Sequence, residues 1–303
     1  MASFSASDIA LTGFKIVRER PRAALIWAAA QLVVSGCMMV AMVLTIGPAF
    51  TRALALTPAE RKDPAQALAV YGQLLPVYLW LLPLSLVVYA ILFATMNRAV
   101  LQPDAEKFGY LRLGRDELRQ LGLLLLAAAV GFLANIGLAL VLVLVIIVAT
   151  LAFGAVTGQA GGGAILTVIL AYIGLLCAWI FLYVRLSLAS AMTFATRRVD
   201  LFGSWRLTKG RFWALLGAYL IAWILGLVVM LLTLVIIFAV MAALGGGLDG
   251  VAMILHPDMS SFGAYLTAPR VAQLVITAAA SALIWPVFLT PPAAAYKALT
   301  AEP

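Results

Sequence analysis

Residues 120–184 read QLGLLLLAAAVGFLANIGLALVLVLVIIVATLAFGAVTGQAGGGAILTVILAYIGLLCAWIFLYV, with no Asp, Glu, Lys or Arg in the stretch. Backbone N–H and C=O groups have no water to bond inside a bilayer, so an apolar segment crosses as a helix, which needs about 20 residues. The stretch is long enough for two such helices, and Gly158–Gly163 (GQAGGG) supplies the break between them. Four more charge-free stretches flank it, at 23–51, 64–97, 212–248 and 271–296. Six spans follow, at about 23–47, 74–97, 121–152, 164–185, 212–243 and 271–291.

The whole chain agrees with that reading. It has 303 residues, 65% hydrophobic and 11% charged, with a mean hydropathy of +1.11. A soluble domain is about half apolar and a quarter charged, so a soluble enzyme is excluded. Intrinsic disorder is excluded too, because it requires low hydrophobicity and high charge. Between the spans there is no room for a separate soluble domain, so 1–303 reads as a single membrane domain. A cleaved signal peptide does not fit the first span. Arg18, Arg20 and Arg22 precede it and Ala53-Leu54-Ala55 follows it, but its apolar run far exceeds the roughly 7–15 residues of a signal core.

Charge sets the orientation. Of 20 Lys and Arg, only Arg52, Arg61, Lys62 and Arg270 fall in loops on the side opposite the N terminus. The loops are short, so the positive-inside rule places both termini of this multi-pass chain in the cytoplasm. The Ala- and Arg-rich composition suggests a bacterial source, and so the bacterial inner membrane is the expected location. The net charge of +8 comes from short basic blocks beside apolar runs. That arrangement suits anionic membrane lipid as the partner, not nucleic acid. Cys37 and Cys177 both lie inside apolar runs, so neither a disulfide framework nor a zinc pattern is present.

Three segments entering odd-numbered spans look alike: LTGFKIVRERPRAALIWAAA from Leu11, YLRLGRDELRQLGLLLLAAA from Tyr110 and SWRLTKGRFWALLGAYLIAW from Ser204. Each mixes apolar and basic residues at helical spacing, as an amphipathic elbow helix lying in the headgroup layer would. They divide the chain into a possible threefold parallel repeat, 1–97, 98–196 and 197–303. Arg112, Arg115 and Arg119, with Arg206, Lys209 and Arg211, are the expected lipid-headgroup residues, and Trp205 and Trp213 the interfacial anchors. On the opposite side, Thr57-Pro58-Ala59-Glu60 and Asp63-Pro64-Ala65-Gln66 each read as a capped helix start.

No catalytic constellation emerges. The sole histidine, His256, stands beside Pro257 and Asp258 in the last outer loop, too few ligands for a metal. Gly161–Gly163 and Gly245–Gly247 lack the Lys-Ser/Thr of a phosphate loop and read as helix breaks. The charge-free stretches hold no carboxylate for proton or sodium coupling. Asn135 is the strongest polar group within them, expected to bond a neighbouring helix or to contact a substrate. Arg185 is expected to snorkel at the rim, or else to face a cavity with Asn135, Ser187 and Ser190. No catalytic, cofactor-binding or metal-binding residue is assigned, and no cofactor is expected.

This organisation, with SWRLTKGRFW, RAVLQPDAEKFGYLRLGRDELR and the terminal PPAAAYKAL, resembles an uncharacterised bacterial six-span membrane family. It is similar to the membrane domain ahead of the catalytic domain in some glycerophosphodiester phosphodiesterases. The resemblance implies an architecture and a lipid context; with one histidine and no clustered carboxylates among residues 1–303, the hydrolase chemistry is not expected here. The expectation is an all-α, six-span, non-enzymatic protein engaging lipid or an apolar ligand at the cytoplasmic leaflet. The alternatives are a small permease or channel-like transporter, and a membrane scaffold or regulatory partner.

Overall fold

The computed structural model describes residues 5–157 and 162–301, and every regular element among them is helical. Two short helices, α1 (Ala6–Ala10) and α2 (Thr12–Glu19), precede the long α3 (Pro21–Ala55). Next come α4 (Pro58–Lys62), α5 (Pro64–Gly72) and α6 (Leu75–Leu101). Two single 3-10 turns, at Pro103–Ala105 and Phe108–Tyr110, lead to α7 (Arg115–Thr157) and α8 (Gly162–Leu186). They are followed by α9 (Ala189–Thr196), α10 (Gly203–Leu207), α11 (Phe212–Gly245) and α12 (Leu248–Leu255). The last are α13 (Phe262–Tyr265), α14 (Ala268–Leu289) and α15 (Pro291–Ala301).

Among the described residues, 6 helical segments are long and apolar enough to cross a membrane: Pro21–Ala55, Pro64–Leu101, Phe108–Ala152, Ile165–Thr196, Phe212–Gly245 and Ala268–Ala301. The expected all-α, six-span class therefore stands. The break expected at Gly158–Gly163 falls mostly on residues 158–161, outside the described residues.

Local signals explain where the outer helices start. Thr57 Oγ1 accepts from the Glu60 N–H at 3.3 Å, and Glu60 Oε2 accepts from the Thr57 N–H at 2.7 Å, a reciprocal capping box for α4. Asp63 caps α5 by accepting from the Ala65 N–H. Gly246 and Gly247 adopt φ of 81° and 84°, a region that costs glycine nothing. They stop α11 and turn α12 back along it.

The long helices pack as two groups of three. In one, α14 lies against both α3 and α11; in the other, α7 lies against both α6 and α8. Contact between α3 and α6, and between α8 and α11, is sparse. The groups are tied together at the end of the bundle that carries both termini (the terminal end), where α15 meets α6 and α9, and α9 meets α6 and α7. Lys297 Nζ reaches the Val100 carbonyl there at 3.4 Å.

The three elbow segments differ from one another. The first, α2, buries Gly13 and Ile16 and packs on α14. A Cβ on Gly13 would stand 2.6 Å from the Pro286 carbonyl group, so this amphipathic helix spends its apolar face on protein. In the second, Leu111 to Gly114 lie outside any helix and α7 starts only at Arg115, which separates Arg112 from Arg115 and Arg119. Tyr110, φ 65°, is fully buried and anchors this segment by donating its hydroxyl to the Pro103 carbonyl at 2.8 Å. The third, α10, buries Ser204, which holds it under the end of α8.

Candidate functional site

Polar residues gather at the terminal end, where the span termini converge. Arg98, in the last turn of α6, is 2% exposed. Its Nη2 donates to Glu117 Oε1 at 2.8 Å and lies 3.6 Å from Asp116 Oδ2. Its Nη1 donates to the Tyr110 carbonyl at 2.6 Å, and its guanidinium sits 5.6 Å over the Phe194 ring. Asp116 also accepts from Arg119 Nη1 at 2.7 Å. A buried guanidinium survives only with such pairing. The carboxylates lie in the first turn of α7, where the helix dipole also favours negative charge.

A neutral network adjoins it. Asn97 Nδ2 donates to Ser190 Oγ at 2.8 Å, Ser190 Oγ donates to Gln120 Oε1 at 2.9 Å, and Gln120 Nε2 donates to the Ser190 carbonyl at 2.9 Å. It joins α6, α7 and α9, with Gln120 almost fully buried.

Two cavities flank this cluster. The first, of about 440 Å³, fills the gap between α3 and α6, with α14 as its floor. Its walls include Trp27, Val34, Val88, Ile91, Met96 and Trp285. Polar character comes from Gln31, whose Nε2 donates to Ser35 Oγ at 2.9 Å, from Ser281, and from Arg112 at the edge. Trp27 is fixed by donation from Nε1 to the Gly109 carbonyl at 2.6 Å, and Trp285 stands edge-on to Tyr89. Leu113, also at the edge, is 84% exposed. The second cavity, of about 340 Å³, is bounded by α7, α8 and the α14–α15 junction. Phe93 and Phe288 wall it, and Gln120, Ser187 and Ser190 supply its polar rim.

The structure distributes the expected site residues unevenly. Ser187 and Ser190 do border the second cavity, but the helix breaks between them, after Leu186. Asn135 and Arg185 do not border it: Asn135 is exposed on α7, and Arg185 stacks against Phe181 and Trp205. Arg115, Arg206, Lys209 and Arg211 are exposed, whereas Arg119 is half-buried in its pairing with Asp116. Trp213 is 79% exposed on the outer surface and Trp205 37%.

Helix α7 begins ahead of its charge-free stretch, at Arg115, so Asp116 and Glu117 sit in its first turn at the terminal end. Two further polar residues were overlooked, Gln31 and Asn97. The available signal was position: Gln31, Asn97 and Gln120 each sit within a few turns of the basic end of a span. At the opposite end, His256 and Asp258 border a shallow hollow with Thr51. Among the described residues, no group of three or more His, Cys, Asp or Glu is placed to hold a metal ion.

Compared with known proteins, the chain matches no family model, no curated protein and no solved structure.

Proposed function

We propose that this is a non-enzymatic, multi-pass protein of the bacterial inner membrane, its termini in the cytoplasm, that takes a lipid acyl chain into the groove between α3 and α6. The observation carrying this reading is the apolar cavity at the terminal end, opening between two spans that barely touch and edged by Arg112. Its roughly 440 Å³ lies within the range of about 300–1,000 Å³ common for small-molecule sites. An acyl chain can enter such a groove sideways from the leaflet, leaving its phosphate near Arg112. Juxtamembrane Arg and Lys favour anionic headgroups by about 1 kcal/mol each.

The competing readings have less support. A carrier would want a polar path joining Arg185 to Asn135, yet neither residue lines the cavity bounded by α7 and α8. A scaffold would want a filled bundle, yet two cavities flank the polar cluster. The resemblance to the membrane domain of glycerophosphodiester phosphodiesterases points to the same lipid context.

The test is to fill the cavity. Ala30→Trp should lower the lipid carried through purification, read by native mass spectrometry, while the detergent-solubilised fold and its melting temperature persist. Undiminished lipid in that variant would count against the reading. Phosphodiester-lipid hydrolysis that is abolished by His256→Ala would contradict its non-enzymatic part.

A further inference from the structure

We infer that Arg185 forms a second lipid site, one that seats the phosphate of an anionic glycerophospholipid. The inference rests on the reading that the bundle engages lipid at its terminal end, but it uses none of the residues of the α3/α6 cavity.

Arg185 lies in the last turn of α8, with its guanidinium 5.1 Å from the Phe181 ring centre and 5.6 Å from that of Trp205. Phe181 packs edge-on to Trp205 at 5.5 Å and tilted to Phe212 at 5.6 Å. Phe181 of α8, backed by Phe212 of α11, and Trp205 of α10 thus cradle one cation. Its backbone is fixed from below. Ser204 Oγ donates to the Arg185 carbonyl at 2.8 Å and accepts from the Leu188 N–H at 3.1 Å, which sets the neighbouring Trp205 against the guanidinium.

The cradle leaves the charge unanswered. Among the described residues, ion pairs join Arg20 to Glu106, Arg98 to Asp116 and Glu117, and Arg119 to Asp116; none reaches Arg185. Its side-chain hydrogen bond is a long one, Nη1 to Thr208 Oγ1 at 3.5 Å, and its buried Nε has no partner. Arg98, a more deeply buried guanidinium at the same end of the bundle, has two carboxylates and a carbonyl. A half-buried guanidinium at the membrane end of a span wants an anion, and its planar fork of N–H donors matches phosphate oxygens. Phe181 and Trp205, each more than a third exposed, offer the apolar surface on which the attached chains would lie. Arg206 and Lys209 follow closely on Trp205 and are exposed. Their charge disfavours the ammonium of a zwitterionic headgroup, so the ligand class is anionic.

The experiment is native mass spectrometry of the full chain from nanodiscs of equal phosphatidylglycerol and phosphatidylcholine. The native chain should retain phosphatidylglycerol in excess, and Arg185→Gln should cut that excess about fivefold, the equivalent of one juxtamembrane charge. An unchanged lipid profile in Arg185→Gln overturns the site while leaving the α3/α6 reading intact; retention of neither lipid by the native chain overturns both. Should Arg185→Gln fail to fold, Trp205→Leu decides, since it opens the cradle and leaves every charge in place. A reduced excess in that variant supports the site, and an unchanged one overturns it. Inorganic phosphate at tens of millimolar separates the two sources of the same chemistry. Phosphatidylglycerol should resist its competition, and displacement by free phosphate would make the ligand a soluble anion and overturn the lipid assignment.

Discussion

Arg98 and Arg185 are both arginines in the last turn of a span, yet their surroundings differ completely. Arg98 is enclosed by Glu117, Asp116 and the Tyr110 carbonyl; Arg185 has aromatic rings. In sequence Arg98 reads only as a basic residue on the inner side of a span, whereas Arg185 reads as a rim or cavity residue, with no sign of its aromatic neighbours. The partner of Arg98 was not legible because a tertiary contact brings the start of α7 onto the end of α6. Removing one member of a buried pair strands the other, at a cost of about 3–5 kcal/mol. Arg98→Met or Glu117→Leu alone should therefore lower the melting temperature strongly. The double variant Arg98→Met/Glu117→Leu should recover much of the loss, because the two effects are not additive. Additive losses would mean that the pair is not coupled.

At the scale of elements, the helices whose start is written in local chemistry were readable. Thr57 and Asp63 cap α4 and α5 as their spacing predicts. Glu60 adds a pH dependence. Donation from the Thr57 hydroxyl and amide holds its carboxyl below the ordinary value of 4.5. The folded value is depressed, so the capping contribution is full at neutral pH and is lost as pH falls through that depressed value. Hydrogen exchange of the Thr57 amide, corrected for its intrinsic rate, should stay slow at pH 7 and rise only in acid; Glu60→Ala should make it fast throughout.

The elbows were less readable, because an amphipathic pattern does not say whether lipid or protein covers the apolar face. For α2 the cover is α14, at the Gly13–Pro286 crossing. Overpacking such a contact costs about 1–3 kcal/mol. Gly13→Leu should release α1 and α2 to protease while the spans stay inserted. Unchanged resistance of the N-terminal segment would place its docking elsewhere.

At the scale of the whole molecule, six apolar segments were legible because the bilayer constrains length and charge more tightly than any packing rule does. Helix neighbours were not. The pairing of α14 with α3 and α11, and the sparse contact between α3 and α6, are tertiary packing that hydropathy does not register. Topology has its own test: tags at either terminus should be protected in intact spheroplasts, and a tag near Ala59 should be accessible from outside. Accessible termini would reverse the orientation.

The α3/α6 groove is the central claim, and a structure determined in native lipid nanodiscs addresses it most directly. Elongated density should lie between α3 and α6, running past Trp27, Ile91 and Trp285, with a headgroup feature near Arg112. A gap closed by direct contact of α3 with α6, or filled by a neighbouring protein, would contradict it.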